Sequence, residues 1–265
     1  MEQAIGCNDH TKLSSYKQKF EAHKLAAHEL QSFRQALTDD AIDTYFKGAI
    51  SLLEAITSIN KGYQSWAIVK LYYSTFYFLR TFFASRDLGI VKCSSSIYTL
   101  SISTGASVVR RTGVKHRNQD VRGDHKTTFY IFEKDFGQSE LILSNTIDGL
   151  TVFEWMMAAR EDVNYRHPTF SEPQMDLFQP SMTDPAQMIQ WLKLYIEDQS
   201  GLYAFQEDHC CIATPLYLMA KLKTELNSRL GIQHAFSSDQ QEAFANVLKS
   251  TELTGSPQLN GLFFG

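Results

Sequence analysis

The chain of 265 residues is 43% hydrophobic and 20% charged, with 14 glycines and 6 prolines, a globular composition that leaves little room for disordered tracts. Its net charge of −4 argues against coating nucleic acid through an overall basic field, so contact with a polyanion has to come from a local patch. Cys7 and Cys93 are isolated and Cys210 and Cys211 are adjacent. That gives no disulfide framework and, with no apolar signal-peptide stretch at the start, predicts a reducing, cytoplasmic setting.

Lys12 to Leu37 reads as a polar, amphipathic helix. Thr38-Asp39-Asp40 then supplies N-cap chemistry for a second helix. In that helix Ile42, Tyr45, Phe46, Ala49, Leu52, Leu53 and Ile56 recur at helical spacing, with Asp43, Lys47, Ser51, Glu54 and Ser58 opposite. Asn60-Lys61-Gly62 ends it. The next stretch, SWAIVKLYYSTFYFLRTFFAS from Ser65 to Ser85, is apolar enough to suggest a membrane span. Lys70 and Arg80 inside it would be expensive in a bilayer. Lys70, Ser74, Tyr77, Thr81 and Ser85 form one polar stripe, so a central core helix with a face toward a groove is predicted. Its aromatic array of Trp66, Tyr72, Tyr73, Phe76, Tyr77, Phe82 and Phe83 reads as core packing rather than base stacking.

Ile90 to Arg111 changes texture to β-branched runs around Thr104-Gly105, predicting a short β-hairpin centred there. The charged loop KHRNQDVRGDHK follows, then a helix over TTFYIFEKDF, a loop at Gly137 to Asn145, and a helix from Ile147 to Tyr165. His167 to Pro173 stops that helix, because proline pushes its predecessor out of the α region. PQMDLFQPSMTDP reads as a linker. Asp184-Pro185 opens a helix to Ser200, a longer one runs from His209 to Leu230, and a short one follows Ser237-Ser238-Asp239. Leu192, Tyr195 and Ile196, and Leu216, Leu218, Met219, Leu222 and Leu226, give these helices broad apolar faces. The core, a second copy or another protein has to cover them.

Three constellations bear on chemistry. Arg160 and His167 bracket a helix end; Arg160, Asn164 and a continued position 167 would share one face. Arginine beside histidine suits metal-independent cleavage of RNA, which needs an acid/base and a cation for the phosphorane charge. The structural alternative is a set of salt bridges among Arg160, Glu161, Asp162 and Arg166. The second constellation is basic: Arg110, Arg111, Lys115, Arg117, Arg122 and Lys126 against Asp120 and Asp124, with His116 and His125 in reserve. It reads as an RNA-contacting loop or as a solvated hairpin tip. The third, His209-Cys210-Cys211, has no spaced partner pair, so no metal site is expected. No Walker A loop, dinucleotide fingerprint or nucleophile elbow occurs, and no cofactor is expected.

In this order SWAIVKLYYSTFYFLRTFFASRDLG, GDHKTTFYIFEKDFG and FEWMMAAREDVNYRHPTF resemble successive features of the HEPN superfamily of helical nucleotide-binding and ribonuclease domains. The resemblance spans Asp40 to Pro173. It implies a mainly α protein whose HEPN-like antiparallel helical bundle, residues 40–173, carries a hairpin insertion around 90–125. Residues 1–39 would form an N-terminal helical segment and residues 174–265 a C-terminal helical extension. Arg160 and His167 fall where the family places its helix-ending Arg-x4–6-His motif, with six residues between them. Arg111 and His116 make a second match, out of the family's position. The resemblance implies a metal-independent endoribonuclease of cellular (phage) defence or of a toxin–antitoxin system, with RNA as partner and a homodimeric state. The alternative is a non-catalytic accessory subunit of a nuclease or NTPase complex.

Overall fold

A computed structural model describes residues 1–166, 177–230 and 236–250. Within them the chain is mainly helical: α1 (Lys17–Ala22), α2 (Leu30–Asn60), α3 (Gln64–Ala84), α4 (Asp124–Phe136), α5 (Val152–Glu161), α6 (Pro185–Glu197), α7 (Glu207–Leu230) and α8 (Ser238–Ser250). Five short strands lie between α3 and α4: β1 (Leu88–Cys93), β2 (Ser96–Ser101), β3 (Val109–Arg110), β4 (Lys115–His116) and β5 (Gln119–Asp120). None of the described helices is long and apolar enough to cross a membrane.

The elements depart from expectation at three boundaries, each for a local reason. The first predicted helix is broken between Ala22 and Leu30, and α2 runs unbroken through Thr38-Asp39-Asp40. There the polar residues serve side chains instead of a cap: Gln35 donates to Asp39 at 2.9 Å one turn on, and Asp40 faces Arg80 at 3.8 Å. The hairpin turns at Ser94-Ser95, with Cys93 opposite Ser96 and Leu88 opposite Ser101. Thr104-Gly105 belongs instead to the loop from β2 to β3, docked on the N-terminal segment by bonds from Gly105 N to Leu25 O (2.8 Å) and from Leu25 N to Ala106 O (2.9 Å). Helix α5 starts at Val152, not Ile147. Thr151 and Glu154 form a reciprocal capping box, while Asp148-Gly149, both at positive φ, close a tight turn ahead of it.

The chain divides into two compact units, one formed by 1–41 and 79–135 and the other by 42–78 and 136–265. In the first, β1, β2 and β3 form an antiparallel sheet. Ile5, Cys7, Leu13 and Phe20 pack with Cys93 and Tyr98. The Phe20 and Tyr98 rings meet edge-on at 5.1 Å, and the Tyr98 hydroxyl donates to Glu21 at 2.6 Å. Phe82 and Phe132, 4.9 Å apart, set α4 against the end of α3.

In the second unit α2 and α3 approach closely enough that a β-carbon on Gly48 would lie 2.7 Å from the Phe78 ring. Ser74, and Thr81 in the first unit's part of α3, are fully buried, so the polar stripe of α3 does not line a groove along its length. The aromatic array divides likewise: Tyr72 here and Phe82 and Phe83 in the first unit are core, whereas Trp66 is 51% exposed. Leu192, Tyr195, Leu216, Leu218, Met219, Leu222 and Leu226 are all buried within the chain, so these apolar positions are covered without a second copy.

Candidate functional site

Helix α5 carries Arg160 in its last turn and continues into a π-helical turn, Asp162–Arg166, an irregularity frequent at functional sites. The Arg160 side chain is only 16% exposed. Its guanidinium carbon lies 4.4 Å from the centroid of the Tyr72 ring, a cation–π stack that fixes the plane of the fork. One terminal nitrogen approaches Glu161 at 3.7 Å, and Nε is buried with no hydrogen-bond partner among the described residues. Burial pushes the Tyr72 phenol up against the opposing pull of Arg160. Of the expected ion network, the Arg160–Glu161 contact is present at this distance. His167 lies outside the described residues.

The six predicted RNA-contacting cations divide by what they touch. Arg111 turns inward: Nε donates to the Thr99 hydroxyl at 2.8 Å, and its two terminal nitrogens grip Asp135 of α4 at 3.2 and 2.6 Å. Such a two-point pair orients both partners and ties β3 to α4. Arg122 pairs with Asp120 at 3.1 Å. Arg110 and Arg122 line a hollow of about 590 Å³ with Lys92, Ser95, Ser96 and Asp124; Lys92 and Asp124 are 3.5 Å apart. Lys115 and Lys126 are exposed. Arg117 is turned toward α4.

Arg117 and His116 reach α4 through a tight hairpin. Strands β4 and β5 pair Lys115 with Asp120 and His116 with Gln119, leaving Arg117-Asn118 as a two-residue turn with φ of 47° and 62°. Two positive φ values suit the twist of a two-residue hairpin. The His116 Nε2 lies 2.8 Å from Glu133 Oε2, and an Arg117 terminal nitrogen lies 3.7 Å from the same oxygen. The His116 ring meets Tyr130 edge-on at 5.2 Å, and the Tyr130 hydroxyl accepts from Lys134 at 2.9 Å. Sequence reasoning misses Glu133 as a member of this site. Its one signal is position: Tyr130, Glu133 and Lys134 share a helix face.

In the second unit Tyr195, Tyr203, Trp191 and His209 form a closed ring cluster, Trp191 and His209 being 4.8 Å apart. The Tyr195 hydroxyl and His209 Nδ1 share a 2.6 Å hydrogen bond. Cys210 and Cys211 are fully buried, and burial pushes the Cys210 thiol up to about 12, the environment of an inert rather than a nucleophilic cysteine. Among the described residues no group of three His, Cys, Asp or Glu side chains gathers as a metal-ligand set.

No family model, no curated protein and no solved structure matches the chain.

Proposed function

We propose that the chain is a HEPN-like protein acting on RNA, and that it is a metal-independent endoribonuclease of cellular defence or of a toxin–antitoxin system, working as a homodimer. The observation that supports this reading is Arg160. Its guanidinium is held in a set plane over Tyr72, mostly desolvated, with an N–H donor that no described residue accepts, at the helix end that leads by a π-turn toward His167. A cation oriented before substrate arrives stabilises developing phosphorane charge without reorganising. His167 would supply the acid/base step. Arg110, Lys115, Arg122 and Lys126, on the outside of the basic region, would meet the RNA backbone; Arg111, committed to Asp135, would not.

Purified protein and labelled RNA, incubated with chelator, test the reading. Cleavage is expected in the wild type and is expected to be lost in Arg160→Ala and in His167→Ala, both retaining their helical circular dichroism. Full activity in both variants would overturn it.

A second reading, a non-catalytic accessory subunit of the same fold, is favoured by one feature: Arg160 already has structural work on Tyr72 and Glu161. It predicts no cleavage by the isolated chain and stoichiometric co-purification of a nuclease or NTPase from the protein's own cells.

A further inference from the structure

We propose that the tip of the β4–β5 hairpin is a phosphate-binding site, in which His116 and Arg117 grip a phosphate group and Glu133 presents them. This places one phosphate of the RNA reading and takes that reading as its source of ligand; the shared chemistry is a phosphate oxyanion, free or in a nucleic-acid backbone.

Three observations carry it. First, the ring of His116 has a set orientation. The Glu133 side chain is 7% exposed and that of His116 31% exposed, and an ionised carboxylate only accepts, so Nε2 carries the proton of their 2.8 Å bond. Nδ1 is the ring nitrogen that Glu133 does not engage, and in this proposal it is the one that meets the ligand, the arrangement by which a carboxylate partner fixes a working imidazole.

Second, the backbone is unusual where it delivers these side chains. Arg117 adopts a φ of 47°. Asn tolerates that region and Gly prefers it, whereas a long side chain there is uncommon, and such conformations gather at ligand clamps. The turn puts His116 and Arg117, adjacent in sequence, on one carboxylate oxygen.

Third, the charges facing the imidazole balance in favour of an anion. Helix α4 contributes Glu133, with Tyr130 and its bonded Lys134 beyond the ring. The hairpin contributes Arg117 at 3.7 Å from Glu133, and Lys115 opposite Asp120. With His116 protonated, cations outnumber carboxylates, and Nδ1–H and the guanidinium supply donors of the kind that bind phosphate oxygens.

Histidine-ring NMR on the full chain is the test, with inorganic phosphate as the first probe and a ten-nucleotide oligouridine as the second. Phosphate is expected to move the His116 ring signals, and Arg117→Ala to remove most of the response. His116→Gln retains a donor for Glu133, which protects the fold, and is expected to weaken phosphate binding several-fold. Oligouridine is expected to move the same signals at lower concentration. In Arg117→Ala the log–log salt slope is expected to shrink by about one unit, the signature of one phosphate no longer neutralised. A response to phosphate without one to oligouridine keeps the site and removes RNA as its ligand. His116 signals unmoved by either probe overturn the proposal.

Discussion

Ser74 donates its hydroxyl to the Gly48 carbonyl at 2.8 Å, joining α3 to α2. The same glycine leaves no room above it: an added β-carbon would stand 2.7 Å from the Phe78 ring. Phe78 is fully buried and touches Tyr45 at 5.5 Å between centroids, so it has little freedom to retreat. Gly48→Ala is expected to destabilise the protein by about 1–3 kcal/mol, the cost of overpacking outweighing alanine's helix preference of about 1 kcal/mol. Urea unfolding of the variant checks this; an unchanged midpoint would show that Phe78 yields.

His209 gives stability a pH dependence whose sign is set. Burial lowers its pKa in the folded chain, with Asp208 pulling the other way. A depressed histidine favours the neutral ring, so its contribution is complete above the ordinary value near 6.5 and declines as pH falls below it. Unfolding midpoints are expected to drop between pH 7.5 and 5.5. His209→Gln should start less stable, having lost the Tyr195 bond, and should lack that part of the slope.

Arg111 and Arg110 are neighbours with different work. Breaking the Arg111–Asp135 pair is expected to cost about 2 kcal/mol, short of the 3–5 kcal/mol of a fully buried pair because water still reaches both side chains. It should leave the salt dependence of RNA binding unchanged. Arg110→Ala is expected to leave stability within about 0.5 kcal/mol and to reduce the log–log slope by about one unit. Paired melts and binding isotherms separate the two roles.

All four cysteines are buried as free thiols. A thiol-reactive dye is therefore expected to label none of them in the native protein and all four in urea. Fast labelling of Cys7 alone would show that the first turn of the chain opens locally.

The proposed homodimer should scatter light at twice the chain mass of 30.2 kDa. A monomer with full RNA-cleaving activity would separate the activity from the assembly.

Helices whose apolar residues recur over several turns are directly legible: α3, α4, α6 and α7 start or end within a few residues of expectation, because periodicity reports a buried face. Boundaries set by competition are less so. Thr38-Asp39-Asp40 has the composition of a cap, yet Gln35 and Arg80 claim its carboxylates. Thr104-Gly105 has the composition of a hairpin turn, yet its backbone bonds to Leu25, some eighty residues earlier. The basic residues are visible as charges, but charge alone does not say which cation faces water. Asp135 and Glu133 decide that, and they lie on a helix the sequence leaves unconnected to the loop. Arg160 is legible as a helix-end residue; its seat on Tyr72 requires knowing that α5 lies against α3.

The unbroken course of α2 bears on how this protein can be dissected. A fragment beginning at residue 40, where composition suggests a start, would sever a 31-residue helix a third of the way along and discard Phe20 and Leu25. Those two residues complete the apolar clusters behind the sheet, and Leu25 closes the Gly105 loop with two backbone bonds. The leading residues thus behave as a plug rather than a tail. A deletion series from that end should pass abruptly from soluble to insoluble product between residues 16 and 25.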